Sequence, residues 1–224
     1  EIMPSLVGSE MCIRDSCSIV EFDRNDCVIT REEISKRIGI VLDGTVGIYS
    51  DSFYGGHTLI GLGGQHYLFG FIAIFYNNHN SITTLYSHDH CTIAFFDIPP
   101  GLSSVEFIRS TPPQILSNIY EMLTIHIRDD FDRQQIINSK SVKVKLARYM
   151  IYSSKNAGSM QFDIKMNRTE LSNFLGAYRT TLSRELSQME REGLIRTERS
   201  LITILDYRKL LDIEMTSYYG AEDI

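Results

Sequence analysis

Polar side chains that can form hydrogen bonds or ion pairs recur at helical spacing near residue 180. Arg179, Ser183 and Ser187 follow one another every four residues, and Thr180 and Arg184 run beside them. In a helix this spacing gathers them on one side, away from an apolar side. A guanidinium can donate two hydrogen bonds to a guanine edge, and hydroxyl groups can meet base edges or phosphate. The pattern therefore predicts a surface that reads a nucleic acid groove.

Two predicted helical segments joined by a short turn carry this surface. They run over 169–175 and 179–192, with Gly176 in the turn and Gly193 after the second segment. The apolar residues that recur on one face of these segments are Leu171, Leu175, Leu182, Leu186 and Met189. This arrangement is typical of a helix-turn-helix. An antiparallel helical pair with a solvated polar face would show the same periodicity.

A predicted β-hairpin and a local excess of positive charge favour DNA as the ligand. Two segments predicted as strands, at 194–196 and 201–205, flank a turn, so Arg196 and Arg199 would lie on a wing that can reach the DNA backbone. Residues 139–209 carry 14 basic and 7 acidic side chains, whereas the whole chain has a net charge of −6. Chance clustering of surface charge is the alternative explanation.

Composition excludes several classes of protein. The chain has 224 residues, of which 43% are hydrophobic and 22% charged, as expected for one large or two small globular domains. Apolar runs are too short for a membrane helix, and four scattered cysteines suit a reducing cytoplasm rather than a disulfide scaffold. Residues 1–16 show no periodicity and are interpreted as a leader of doubtful origin.

The first half of the chain has the pattern of a β domain followed by a long helix. Nine of the 15 glycines fall within 39–70, among short apolar runs, which predicts a sandwich or barrel. Residues 114–138 contain no Gly or Pro and predict a helix. Apolar residues recur there every three or four positions, at Leu116, Tyr120, Leu123 and Ile127, and Phe131 can extend the series. They predict a dimer seam, although a helix packed along its own β domain would also carry such a stripe.

The string 167–195 closely resembles the winged helix-turn-helix of Crp/Fnr bacterial transcription regulators. The glycine turn at 39–46 and the order of parts are also similar, and the resemblance covers about 18–210. It implies an α+β fold with a double-stranded β-helix, or jelly-roll β-roll, as sensor domain. The expected domains are a sensor at 17–110, a dimerisation helix at 111–138 and a DNA-binding domain at 139–224.

The resemblance also implies a function. The chain is expected to be a homodimeric, sequence-specific transcription regulator that binds a palindromic operator and is not an enzyme. Its expected partners are double-stranded DNA, a second copy of itself and RNA polymerase, with no membrane. The residues expected to read bases are Arg179, Thr180, Ser183 and Arg184. The residues expected to touch phosphate are Arg168, Thr169, Thr181, Arg196 and Arg199.

The sensor domain departs from relatives that bind cyclic nucleotides. Those proteins use a Gly-Glu pair for the ribose and an Arg before Ser or Thr for the phosphate. Here Phe71 follows Gly70, and Asn80 precedes Ser81. A buried phosphate without its guanidinium would lose a charge-assisted pair, so we expect no response to cyclic AMP. Phe69, Gly70, Phe71, Asn80 and Ser81 would then line a pocket for an unknown effector, or the Phe side chains would fill a core.

No cofactor is expected. The positions of Cys12, Cys17, Cys27 and Cys91 do not match the tight early cluster of oxygen-sensing relatives, which argues against an iron–sulfur centre. His88 and His90 precede Cys91 without a fixed third ligand. Two other functions are alternatives: a non-DNA adaptor that associates through the long helix, and a cupin-like β-roll that binds a small molecule or metal. The spacing of His57, His66 and His79 does not supply the ligand set of a cupin.

Overall fold

Two antiparallel sheets that face each other form the first half of the described chain. The computed structural model describes residues 17–51, 57–75 and 83–215. The strands are β1 (Cys17–Phe22), β2 (Cys27–Ile29), β3 (Arg37–Asp43), β4 (Val46–Asp51), β5 (His57–Gly63), β6 (Leu68–Phe69), β7 (Thr83–Ser87) and β8 (Cys91–Asp97). One sheet has the order β1-β8-β3-β6 and the other β2-β7-β4-β5. Because β1 pairs with β8 and β2 with β7, the chain winds as a jelly roll.

The core of this half lies between the two sheets. Val41 and Ile93 of the first sheet pack with Val46 and Leu85 of the second, and all four are almost fully buried. Gly44 has φ +82°, and a Cβ there would collide with the carbonyl of His90. The dipeptide Asp43-Gly44 is typical of a hairpin turn and predicts one here, but that prediction is wrong: the turn carries the chain from β3 in one sheet to β4 in the other.

Three helices follow or interrupt the sheets: α1 (Ile72–Phe75), α2 (Ser104–Ser110) and α3 (Pro113–Ile137). The helix predicted at 114–138 therefore starts and ends within one residue of its prediction. Met122 of α3 is buried against Leu68, Phe71 and Ile74. His126 Nε2, also on α3, accepts a hydrogen bond from the Leu68 N–H at 3.3 Å.

The second half is helical with a small sheet. It contains α4 (Val142–Ala157), β9 (Gln161–Asp163), α5 (Arg168–Phe174), α6 (Arg179–Arg191), β10 (Ile195–Glu198), β11 (Leu201–Ile204) and α7 (Tyr207–Met215). The sheet has the order β10-β11-β9 and is antiparallel. Helix α4 is capped by the Ser141 hydroxyl at its start and by Gly158, at φ 60°, at its end. Leu146, Ala147 and Met150 of α4 are fully buried, so this helix forms the centre of the second half.

The chain separates into two compact units, one up to Arg128 and the other from Asp129 onward. We call them the β-roll unit and, after the function predicted for it from the sequence, the DNA-binding unit. Their boundary falls inside α3, whereas the limits 110 and 138 were predicted, and those limits stay a prediction. The order of a jelly roll, a long helix and a winged helix-turn-helix confirms the predicted α+β fold. Within the described residues, no helix combines the length and apolar character needed to cross a membrane.

Candidate nucleic-acid interface

Helix α5 and the turn after it determine where α6, the helix predicted to read DNA, begins. The side chain of Asn167 accepts hydrogen bonds from the N–H groups of Thr169 and Glu170, at 2.9 and 3.0 Å. The Glu170 carboxylate accepts the Asn167 N–H at 2.7 Å, which completes a capping box and fixes where α5 begins. Gly176 then takes φ +57°, a conformation that glycine adopts without strain. The chain can therefore reverse direction within a few residues and start α6 at Arg179.

Helix α6 has one buried and one exposed face. Leu182, Leu186 and Met189 have at most 2% exposure and anchor the helix. At about 100° per residue, the side of α6 opposite these residues carries Thr180, Arg184, Ser187 and Arg191. All four of these side chains are exposed, as is Ser183 at the edge of the same face. Arg179 is also exposed, but at the start of α6 and nearer to the buried side. The four residues predicted to read bases are thus all accessible, and three of them lie on or at the edge of the outer face.

The start of α6 is open to an incoming group. Tyr178 occupies the N-cap position, makes no side-chain cap hydrogen bond and is 85% exposed. The first amides of α6 therefore have no side-chain acceptor at this position, in contrast to those of α5. Further along α6, Arg184 Nη2 lies 3.3 Å from the Glu185 carboxylate, and the side chain of Arg184 remains 72% exposed. This exposed pair leaves other guanidinium donors of Arg184 available to a base edge.

A β-hairpin stands beside α6, as the predicted wing requires. β10 and β11 pair from Ile195↔Ile204 to Glu198↔Leu201, so Arg199 lies at the apex of the hairpin, with φ 58°. The N–H of Thr197 donates to the Glu190 carboxylate at 2.8 Å, which ties β10 to α6. Arg199 and Arg196 are both exposed. The hydrogen bond from Thr197 therefore holds the hairpin beside α6.

The other residues predicted to touch phosphate lie at helix starts. Arg168 is half-buried and Thr169 is exposed, both in the first turn of α5. Thr181 is half-buried in the first turn of α6.

At the opposite end of α6, Lys143 Nζ lies 2.7 Å from the Glu192 carboxylate, and Gln188 donates to the same carboxylate at 2.9 Å. The hydrogen bond from Lys143 is the main reason that the pKa of Glu192 is lowered.

The predicted dimer seam on α3 divides into exposed and packed residues. Tyr120, Ile127 and Phe131 are 73%, 70% and 63% exposed. Leu116 is half-buried, and Leu123 is half-buried against the Met122 cluster of its own unit. The two interpretations of the stripe therefore apply to different residues, since Leu123 packs along its own β domain while Tyr120 and Ile127 face outward.

The described part of the predicted effector pocket is occupied by aromatic side chains. Phe69 is buried between the sheets, and Phe71 is buried beside Phe107, with ring centroids 5.7 Å apart. Gly70 between them has φ +78°, and a Cβ there would collide with the carbonyl of Arg37. These two Phe residues thus belong to packed cores. His79, Asn80 and Ser81 lie outside the described residues.

The cysteines and histidines differ widely in their surroundings. Cys91 is fully buried, and burial raises its pKa to about 11, with Asp89 adding to the effect. Cys27 is exposed and Cys17 is half-buried, while Cys12 lies outside the described residues. His88 is buried, whereas His90 Nδ1 lies 3.2 Å from the Asp23 carboxylate. Across the described parts of the chain, no three His, Cys, Asp or Glu side chains are arranged to hold a metal ion.

Two exposed residues of the candidate interface were not predicted from the sequence. Arg191 lies on the outer face of α6 with Thr180 and Arg184, and the spacing of seven and eleven residues could have identified it. Tyr178 gave no such signal, because an aromatic residue before a helix is more often expected to pack.

Both units are similar to known protein families. Residues 19–99 match the model of the cyclic nucleotide-binding domain family, and residues 144–213 match that of the Crp-like helix-turn-helix domain. The anaerobic regulatory protein of Pasteurella multocida is 23% identical over 93% of this chain and 81% of its own length. The transcriptional activator protein FnrA of Stutzerimonas stutzeri is 27% identical over 42% of this chain and 41% of its own. The structure of FixK2 from Bradyrhizobium japonicum aligns with a TM-score of 0.70 at 15% identity, covering 92% and 99% of the two chains, and shows a shared fold.

The fold and the interface define a DNA-binding protein that joins a β-roll to a winged helix-turn-helix. The chain belongs to the Crp/Fnr family of transcription regulators.

Proposed function

We propose that this regulator acts as a homodimer on a palindromic operator, with one α6 in the major groove of each half-site. The main support for this proposal is the outer face of α6. It presents Thr180, Ser183 and Arg184 to solvent on a helix anchored by buried Leu182 and Leu186. A helix fixed on one side and polar on the other meets the requirement for direct reading of base edges.

The contacts divide between bases and backbone. Arg179, Thr180, Ser183 and Arg184 would face base edges, because they lie in the N-terminal half of α6. Phosphate contacts would come from residues around this helix, namely Arg168, Thr169, Thr181, Arg196 and Arg199. The tie between Thr197 and Glu190 supports simultaneous contact by the wing and α6, since it holds both in one orientation.

The dimer would form along α3. Tyr120 and Ile127, with Leu116 and part of Leu123, form an apolar stripe that a second α3 would cover. Exposed Phe131 extends this stripe toward the end of the helix. A palindrome requires two recognition helices about 34 Å apart, which a two-fold axis along such a seam provides.

The β-roll unit would not respond to cyclic AMP. Phe71 stands where cyclic nucleotide-binding relatives carry the ribose-binding Glu, and its ring is packed in a core. Asn80 stands where they carry the phosphate-binding Arg. The effector, if the operator affinity depends on one, would then be a molecule of a different kind.

The remaining functional expectations follow from the same reading. The regulator would act in the cytoplasm, contact RNA polymerase at its promoters and catalyse no reaction. Its domains would be the sensor at 17–110, the dimerisation helix at 111–138 and the DNA-binding domain at 139–224.

Selection of bound DNA from a random pool by the full chain tests this function. We expect inverted repeats whose centres lie about 10 base pairs apart, bound by a species that sediments as a dimer. Calorimetry with cyclic AMP should give no heat of binding. A monomer that tightly binds an asymmetric site would contradict the dimer, and micromolar affinity for cyclic AMP would contradict the proposed specificity of the β-roll.

A further inference from the structure

Three helices of the DNA-binding unit meet at the ring of Phe174. The guanidinium carbon of Arg133, near the end of α3, lies 5.0 Å from the centre of this ring. The ring of Tyr149 on α4 meets it edge-on, with centroids 5.7 Å apart. Phe174 is the last residue of α5, immediately before the turn that leads to α6. Arg133 therefore joins the long helix directly to the helix-turn-helix.

Arg133 occupies an unfavourable position for a cation. Its Nε is buried without a hydrogen-bond partner among the described residues, and burial lowers the pKa of the guanidinium, which Asp130 partly offsets. Burying a cation without full hydrogen bonding costs free energy that an apolar side chain of similar length would avoid. The compensating contact is with the face of Phe174, and this contact constrains the plane and direction of the guanidinium. Such a contact favours a defined geometry over maximal stability.

Two other cations connect the same three helices, but they do so through hydrogen bonds to backbone carbonyls. Lys145 Nζ on α4 donates to the carbonyls of Leu175 and Gly176 in the turn, at 2.9 and 3.3 Å. Arg148 Nη1 on α4 donates to the Gln135 carbonyl of α3 at 2.8 Å. Each of these two contacts therefore connects α4 to one neighbouring element. The contact of Arg133 with Phe174 connects α3 and α5 directly, so it restrains rotation of α5 relative to the end of α3.

We propose that Arg133 is a positioning residue that sets the angle of the helix-turn-helix on the end of α3, and thereby the half-site spacing that the dimer accepts. The inference rests on the dimeric function proposed above. A rotation of about 10° moves the far end of a helix about 20 Å long by about 3.4 Å, which is one base-pair step. A small loss of restraint at Phe174 is therefore enough to admit a neighbouring spacing.

The test compares spacing preference in wild type and Arg133→Met. Both are titrated, as full chains, with the preferred palindrome and with versions whose centre is lengthened or shortened by one or two base pairs. Wild type should discriminate against the altered spacings by about tenfold or more, and Arg133→Met by about threefold or less, because a desolvated cation–π contact accounts for a difference of this size. Preference among single-base variants within a half-site should be unchanged, since the face of α6 is intact.

Controls separate positioning from charge and from folding. Arg128→Met removes the same charge from an exposed position on the same helix and should keep the full spacing preference. Phe174→Leu removes the other partner of the cation–π contact. It should reduce the discrimination between spacings as much as Arg133→Met does, and the double variant should reduce it no further. This second variant carries the test if Arg133→Met does not fold.

Two outcomes would overturn the inference. Arg133→Met, or Phe174→Leu in its place, could keep both the affinity and the spacing preference of wild type, as Arg128→Met should, or it could weaken binding at every spacing by the same factor. A wild-type chain that is monomeric, or that shows no preference for inverted repeats, would instead contradict the proposed function, so the two failures are distinguishable.

Discussion

The β-roll unit and the DNA-binding unit present their functional residues in opposite ways. In the DNA-binding unit, the residues assigned to bases stand exposed on a helix whose other side is buried. In the β-roll unit, two of the residues assigned to an effector pocket, Phe69 and Phe71, are buried and fill the space between neighbouring elements.

This contrast separates two kinds of functional information. A surface that reads DNA depends on side chains spaced along one helix, so the helical period alone determines which of them share a face. A pocket depends on how much volume distant strands leave open, and that volume is decided by packing across two sheets. Variants on the surface of the DNA-binding unit should therefore alter recognition, and probes of the β-roll interior should find it closed.

The largest effect is expected at the proposed dimer seam, where two chains would meet along α3. Ile127→Asp places a charge on the exposed apolar stripe of α3 and should convert the dimer to a monomer. Operator affinity should fall by about a hundredfold to ten-thousandfold, because the two half-sites are then bound separately. Analytical ultracentrifugation and operator titration on the same samples measure both changes.

Ile125→Asp is the matched control for this variant. Ile125 is also exposed on α3, at 40%, but at about 100° per residue it lies far around the helix from Ile127. It should leave both dimerisation and affinity intact. The equivalent change at Leu123 is less informative, since that side chain also packs in its own unit. A dimeric Ile127→Asp with wild-type affinity would refute the seam.

The interior of the β-roll unit is expected to resist a thiol probe. The pKa of Cys91 is about 11 against an ordinary 9.0, so at pH 8 its thiolate is about a hundredfold scarcer than that of an ordinary cysteine. Iodoacetamide should modify exposed Cys27 within minutes and Cys91 only after denaturation with urea, as peptide mass spectrometry can follow. Because the pKa of Cys91 is higher in the folded chain than in the unfolded chain, its thiol contributes to the free energy of unfolding below about pH 9. This contribution is lost as the pH rises toward 11. Equal modification of both cysteines in the native chain would show that the core opens readily.

Local signals predicted the elements that depend on local sequence. The absence of Gly and Pro over 114–138 identified α3, and the apolar period with Gly176 identified the helix-turn-helix. The outer face of α6 followed from spacing alone, because Leu182, Leu186 and Met189 mark the buried side.

Features that depend on contacts between distant residues were missed or misjudged. The Asp43-Gly44 signal reports a backbone conformation, not which strand pairs with which, so the change of sheet was not visible. The contact between Arg133 and Phe174 joins residues 41 positions apart and has no sequence pattern. The sequence likewise left open which residues of the α3 stripe pack inward, because Leu123 and Ile127 share the same period.

Arg184 should show base-specific recognition within the DNA-binding unit. Arg184→Ala removes an exposed guanidinium one turn beyond Thr180 and should cost about 1–3 kcal/mol on the preferred site. Preference at one base-pair position of each half-site should relax, because the bidentate pair with guanine is lost. Titrations with the preferred site and its single-base variants measure this. If affinity drops uniformly while base preference survives, Arg184 contacts phosphate and the reading face of α6 is rotated.

The smallest effect is expected at the tip of the wing, where Arg199 should contribute charge without sequence information. Arg199→Gln keeps a long polar side chain at a position with φ 58°, so the hairpin should be as stable as in wild type. Affinity should fall by a similar factor for every sequence, and the slope of log K against log salt should become shallower by about one unit per half-site, because one fewer phosphate is neutralised there. Arg208→Gln, which removes an exposed arginine from α7, is the matched control and should leave the slope unchanged. A change in base preference with Arg199→Gln would instead place the wing in a groove, and would mean that the DNA-binding unit reads sequence with two elements rather than one.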